Sequence, residues 1–244
     1  MSNPLLKEAV SALDKARSST PFITETLQYP DVIVTTSVLF AITVISAAAA
    51  WVFLPANGLI MIVLTFAALG VAIAAFMKKT PGPTLPLLYA VLEGGVVGII
   101  SAVFALRYGT DIVVTAVIAT AVVFAACLII YRIPAVRASS VGRRFFLAAL
   151  IGYLALSIIS LIAGMLFGVG GGWGFYGLGW LGIGIAVAAT LISAWSLVID
   201  FNDVDIAVTN GAPVNYRWTL ALGLLISTIW LYLTLLRTLG LIRR

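Results

Sequence analysis

Residues 85–107, LPLLYAVLEGGVVGIISAVFALR, form an apolar stretch long enough to cross a bilayer, and they contain one acidic side chain, Glu93. A helix of about 20 apolar residues spans the hydrocarbon core of a membrane. An acid inside such a segment costs about 2.5–3.5 kcal/mol on insertion scales, so it needs a partner, a water-filled cavity or a function. This stretch therefore predicts both a membrane helix and a candidate site.

The rest of the chain repeats the apolar pattern. With 62% hydrophobic and 9% charged residues and a mean hydropathy of +1.17, an ordinary soluble domain and a disordered chain are both excluded. We predict an all-α integral membrane protein, a seven-transmembrane-helix bundle over residues 32–244. The predicted spans are residues 33–54, 58–77, 84–106, 111–131, 145–168, 178–199 and 217–238.

The segment before the bundle, residues 1–31, is mixed polar and contains no visible signal peptide. Its stretch LLKEAVSALDKARSS places apolar residues on one helical face. An amphipathic helix on the membrane surface and a solvated tail explain this pattern equally well.

Basic residues indicate the orientation. A cytoplasmic N-terminus places ten of the fourteen Lys and Arg residues on the cytoplasmic side, which agrees with the positive-inside rule. Three of the other four, Arg237, Arg243 and Arg244, lie at the C-terminus and would favour a cytoplasmic tail if the last segment failed to span. We favour seven spans in the cell (inner or plasma) membrane, with anionic lipid at the basic cytoplasmic loops and no nucleic acid as a partner.

Few residues can carry chemistry. The chain has nine acids, no histidine and one cysteine, Cys127, which we interpret as a small buried apolar side chain. These residues build no disulfide and no histidine or cysteine metal site, and no nucleophile–base pair is visible. We therefore expect no catalytic residues, no cofactor and no enzyme, and any ion or proton handling must use the carboxylates.

Three acids cluster where the sixth apolar segment ends, in SAWSLVIDFNDVDIAVTNGAP (193–213). Asp200, Asp203 and Asp205 resemble an oxygen-ligand set suited to a hard cation, with Asp200 the candidate metal ligand. A solvated acidic loop is the alternative for Asp203 and Asp205. Glu93 likewise has two interpretations, a carboxylate that handles ions or protons inside the bundle and a structural acid hydrogen-bonded to a neighbouring helix.

Four stretches, taken in order, resemble the Bax inhibitor-1 (TMBIM) family, and more closely its bacterial Bax-inhibitor-like branch. They are YPDVIVTTSVLF (29–40), YAVLEGGVVGIISAVF (89–104), LVIDFNDVD (197–205) and WTLALGLLISTIWLYLTLLR (218–237). The resemblance implies a bundle with its last helix surrounded by the other six. It also implies a pH-sensitive calcium leak governed by a pair of aspartates on helices six and seven.

The aspartate pair is incomplete in this chain. Asp200 matches the helix-six aspartate, but Ser227 occupies the place of the helix-seven aspartate, and Thr234 replaces an acid often found before the LLR sequence. Glu93, Asp203 and Asp205 are the candidates for a second charge. The supporting basic residues are Arg237, which could pair with a carboxylate, and Lys78 or Lys79, which match a basic residue near the end of helix two.

The function that these residues indicate is a slow cation leak with Ca²⁺ as the permeant ion. The alternative is a non-transporting interaction protein that modulates a membrane protease or a stress or cell-death response, with that membrane protein as its partner. A secondary transporter is a third class, although no inverted repeat is visible.

Overall fold

The computed structural model describes residues 25–54, 57–78, 82–131, 140–172 and 174–243, and it contains seven long helices. Each is long and apolar enough to cross a membrane, which confirms the predicted all-α membrane bundle. The expectations for residues 1–24, for Lys79 and for Arg244 lie outside the described residues. The helices are α1 (Tyr29–Phe53), α2 (Gly58–Met77), α3 (Thr84–Tyr108), α4 (Asp111–Tyr131), α5 (Ser140–Phe167), α6 (Trp180–Thr209) and α7 (Arg217–Ile242).

Local sequence explains several helix ends. At the start of α1, the Asp31 carboxylate accepts a hydrogen bond from the backbone N–H of Gln28 at 2.9 Å within a capping box. At the start of α2, the Asn57 side chain accepts from the Leu59 N–H at 2.9 Å. Gly109 ends α3 with a φ of 93°, a backbone conformation that favours glycine. These three helix ends are therefore set by local side chains and by one glycine.

Helix α7 lies at the centre of the bundle. Of its most apolar stretch 67% is buried, against at most 44% for any other helix. It packs mainly against α1, α3, α4 and α6. Helix α2 packs mainly against α3. Helix α5 packs against α6 and against the glycine-rich segment that connects α5 to α6. The fold therefore buries four hydroxyl side chains of α7, Ser227, Thr228, Thr234 and Thr238, inside the protein.

Helices α1 and α3 approach each other closely at two glycines of α3. A Cβ atom on Gly94 would lie 2.6 Å from the Thr43 carbonyl oxygen, and one on Gly98 would collide with the backbone of Ala47. The Ser46 hydroxyl donates a hydrogen bond across this contact to the Val91 carbonyl at 2.6 Å. Small residues spaced four apart thus let two backbones meet, as such spacing does in membrane helices.

Five of the seven helices differ from the predicted spans at one end or both, and two of these differences change where charged residues lie. Helix α6 continues to Thr209 instead of ending at residue 199, so the acid cluster lies on a helix and not in a loop. Helix α5 begins at Ser140, so Arg143 belongs to a helix and not to the basic loop. Hydropathy missed these turns because their acidic and basic side chains are stabilised by partners that are remote in sequence.

Different contacts hold the chain together at the two ends of the bundle. At the end with the acid cluster, the Leu27 N–H donates to the Ala212 carbonyl at 2.8 Å, and the Val214 N–H donates to the Glu25 carbonyl at 2.9 Å. At the opposite end, the Arg243 guanidinium pairs with the Asp111 carboxylate at 2.6 Å. The last helix therefore crosses the whole bundle and ends beside the turn between α3 and α4.

The glycine-rich connection between α5 and α6 forms two short 3-10 turns, Val169–Gly172 and Gly174–Gly177. Gly170 has a φ of 61° and packs its backbone against Gly177, a contact that leaves no room for a side chain. This compact segment covers the end of the bundle opposite the acid cluster.

Candidate functional site

Asp200 lies on α6 and faces α7. One of its carboxylate oxygens lies 3.6 Å from the position that a Cβ atom on Gly223 of α7 would take, and the side chains that act on this carboxyl are Ser227, Asp203 and Arg143. Its second oxygen, Oδ2, is buried and has no hydrogen-bond partner among the described residues. Because a buried oxygen without a partner is costly, this atom is the best candidate for a bound proton or cation.

The other two acids of the cluster hold neighbouring helices. The Arg143 guanidinium on α5 donates to the Asp203 carboxylate at 2.6 Å, and the Tyr29 hydroxyl at the start of α1 donates to Asp205 at 2.5 Å. The cluster therefore connects α6 to α5, α7 and α1, each through a different aspartate. These contacts on a helix argue against the alternative interpretation of Asp203 and Asp205 as part of a solvated loop.

The three aspartates do not converge on one point. Within the described ranges, no group of three or more His, Cys, Asp or Glu side chains could hold a metal ion. A buried Ca²⁺ site needs six to eight oxygen ligands, so the cluster is not a preformed calcium cage. A role of Asp200 as a cation ligand during passage stays a prediction.

Glu93 is half-buried on α3, one helical turn after the buried Tyr89, which it influences electrostatically. In the described part of the chain no hydrogen bond or ion pair joins it to another residue. Glu93 is also not among the groups that act on the Asp200 carboxyl. Of the candidates for a second charge, the structure places Asp203 beside Asp200, and not Glu93 or Asp205.

The basic candidates lie elsewhere. Lys78 is exposed at the end of α2, and the cation beside Asp200 is Arg143 instead. The Arg237 guanidinium stacks over the Tyr176 ring, 4.7 Å from its centroid, rather than pairing with a carboxylate of the described chain. Arg237 thus lies near the opposite end of α7 from Ser227.

Sequence reasoning missed two residues of this site, Arg143 and Tyr29. Arg143 lies sixty residues from its partner Asp203, and no local pattern distinguishes it from the other arginines of its segment. Tyr29 stands in the YPDVIVTTSVLF stretch, which carries part of the family resemblance but gives no role to the tyrosine. Both contacts depend on which helices become neighbours, and the apolar pattern does not specify that.

Chemically, the site is a carboxylate between two membrane helices with one buried oxygen, Oδ2, that has no hydrogen-bond partner among the described residues. It can take up and release a proton, and it can contribute one ligand to a passing cation. A carboxylate beside a serine cannot share a proton as two aspartates would. The aspartate pair that the family pattern implies is therefore not formed between α6 and α7, and the acid beside Asp200 is Asp203 on its own helix.

The comparison with protein families agrees with this geometry. Residues 3–244 match the model of a family described as Bax inhibitor 1 like. No curated protein matches the chain. The family match covers the whole seven-helix bundle, including the acid cluster and the central helix.

Proposed function

Because the chain belongs to the Bax inhibitor 1 like family and has the helices of a multi-pass membrane protein, we propose that it is a pH-sensitive cation leak. Calcium is the permeant ion in this proposal, and Asp200 is the central acid. The observation that carries it is the buried Oδ2 atom of Asp200, which has no hydrogen-bond partner among the described residues.

Three features of the site support a leak rather than a strong binding site. One carboxylate attracts a cation, but the described residues offer no full ligand set. Conduction requires binding that is favourable enough for entry and weak enough for exit. The nearby Arg143 reduces the net negative charge around Asp200. A weaker attraction for cations is consistent with a slow flux.

Protonation of Asp200 gives the proposed leak its pH dependence. A neutral carboxylic acid has lost the charge that attracts a cation, and it gains an O–H donor that changes its hydrogen bonds. Glu93 is the second intramembrane acid in the proposal, and it is not among the groups that act on the Asp200 carboxyl.

We further propose that the end of the bundle with the acid cluster faces the cytoplasm of a cell that carries this protein in its inner or plasma membrane. With seven helices the chain's two ends lie on opposite sides, and most basic residues belong to the side of the N-terminus. Protease protection of a tag placed at either terminus of the protein in membrane vesicles tests this orientation.

The experiment for the leak uses purified protein in liposomes loaded with a calcium-sensitive dye. We expect calcium entry above that of empty liposomes, at rates that differ between acidic and alkaline pH. Asp200→Asn should remove this pH difference because an amide cannot titrate. Asp111→Asn, at the opposite end of the bundle, is the matched control and should retain it.

Two results would contradict the proposal. The first is calcium entry no faster than into empty liposomes at every pH. The second is a pH dependence that Asp200→Asn leaves unchanged, which would assign the titrating group to another residue. Glu93→Gln is then the next variant to measure.

A further inference from the structure

A row of buried hydroxyl groups follows the contact between α6 and α7. The Thr190 and Thr238 hydroxyl oxygens lie 3.3 Å apart, and those of Ser193 and Thr234 lie 3.1 Å apart. The same contact ends in the pair formed by Asp200 and Ser227. We call this row the α6–α7 seam; its polar members are Thr190, Ser193, Asp200, Ser227, Thr234 and Thr238.

The spacing of these pairs shows that one layer of the seam is apolar. From one pair of the seam to the next, residue numbers rise along α6 and fall along α7, as expected for antiparallel helices. Neighbouring positions on the same face of a helix are three or four residues apart. Between the Ser193 level and the Asp200 level, this spacing places Leu197 on α6 and Leu231 on α7. Both leucines have 0% exposure and belong to one core cluster.

The leucine layer separates Asp200 from the rest of the hydroxyl row. Hydrophobic constrictions between polar stretches close channels because water leaves them. The hydroxyls of Thr234 and Thr238 also bond to carbonyls of their own helix, at 2.9 Å and 2.7 Å. They remain satisfied whether or not water enters, so hydration of the seam does not require their bonds to break.

A cavity of about 350 Å³ lies between α3, α5 and α7, and Arg237, the residue before Thr238, is among its lining residues. No α6 residue and no polar member of the seam lines this cavity, so the row of hydroxyls does not open into it. Two arginines, Arg107 and Arg237, line it, and this cavity therefore disfavours cations.

Building on the proposed leak, we infer that the α6–α7 seam is its permeation path and that the layer of Leu197 and Leu231 is its closed gate. Interhelical hydrogen bonding alone is the simpler role for such hydroxyls. That role does not account for a buried carboxylate oxygen without a partner at one end of the row. A path accounts for the hydroxyls and the carboxylate together.

The first test shortens the gate residues. Leu197→Ala and Leu231→Ala should each raise calcium flux into liposomes several-fold over the unmodified protein. Leu222→Ala is the matched control, since Leu222 is equally buried on α7 but packs in a different cluster. Equal fluxes for all three variants in a protein that does leak would overturn the inference and leave the proposed function standing.

The second test measures access to the seam and does not depend on flux. In a Cys127→Ala background, Thr234→Cys and Ser227→Cys lie on opposite sides of the leucine layer. A membrane-impermeant thiol reagent should reach Thr234→Cys only from the end with the glycine-rich segment, and Ser227→Cys only from the end with the acid cluster. Adding Leu231→Ala should open both positions to both sides.

The two tests separate two kinds of failure. The expected labelling pattern in a protein that passes no calcium would support the gate and contradict the leak. Labelling of both cysteines from the same side, or of neither even with Leu231→Ala, would show that the seam is not a path. The first of these outcomes is measured in cysteine variants that retain Leu231, so it does not depend on how well the alanine variants fold.

Discussion

Replacement of Gly98 by alanine tests the close approach of α1 and α3. The added Cβ would lie 2.9 Å from the Ala50 Cβ and 3.0 Å from the Ala47 carbonyl carbon. Carbon atoms pack best at about 3.5–4.0 Å, so the helices must separate locally by about 0.5–1 Å. Because the nearest atoms belong to backbone and a methyl group, no flexible side chain can move aside.

The size of the effect follows from two opposing contributions. Overpacking in a well-packed core costs about 1–3 kcal/mol, while replacing glycine by alanine inside a helix gains about 0.5–1 kcal/mol. Gly98→Ala should therefore have a net destabilising effect of about 0–2.5 kcal/mol. Gly70→Ala should stabilise it, because a Cβ at Gly70 on α2 meets nothing within 4 Å.

The assay is equilibrium unfolding in mixed micelles, followed by tryptophan fluorescence, for both variants and the unmodified protein. The helix-propensity gain is common to the two variants, so the difference between them isolates the steric contribution, about 1–3 kcal/mol. Equal free energies of unfolding for Gly98→Ala and Gly70→Ala would refute the close packing of α1 on α3.

Three further predictions concern polar contacts. A double-mutant cycle on Arg143 and Asp203 should give a coupling free energy of about 0.2–1 kcal/mol, since their side chains are 49% and 33% exposed. A coupling near zero would show that this ion pair does not contribute to stability. Tyr232→Phe removes the 2.7 Å bond to the Ser101 hydroxyl and should cost about 0.5–1.5 kcal/mol in unfolding free energy, and a neutral effect would contradict that bond. Arg243→Ala should speed amide hydrogen exchange at the end of α7 while global stability changes by less than about 1 kcal/mol; unchanged exchange would show that its ion pair does not hold this end.

The number and type of helices could be predicted from sequence because each span is an uninterrupted apolar run. Hydropathy could not predict the last three turns of α6, where Asp203 and Asp205 interrupt the run. Those turns are helical because Arg143 and Tyr29 hold the acids, and because Val204 and Ala207 still pack in the core.

The candidate site was predictable only where a family position supported it. The family pattern placed Asp200 and Ser227 at matching levels of two helices, and the structure brings them together. Composition alone singled out Glu93 equally strongly, yet the structure gives it no polar partner within the described chain. Counting buried acids identifies candidates, but only helix packing decides which of them meet.

The central position of α7 has a consequence for assembly in the membrane. This helix follows the other six in the chain, yet it supplies the surface on which α1, α3, α4 and α6 pack. Until it inserts, Ser101, Ser193 and Asp200 lack the partners that α7 provides, and such polar groups in lipid favour non-native contacts. A chain truncated before residue 217 should therefore insert six helices but remain a substrate for membrane quality control, because its core is still missing.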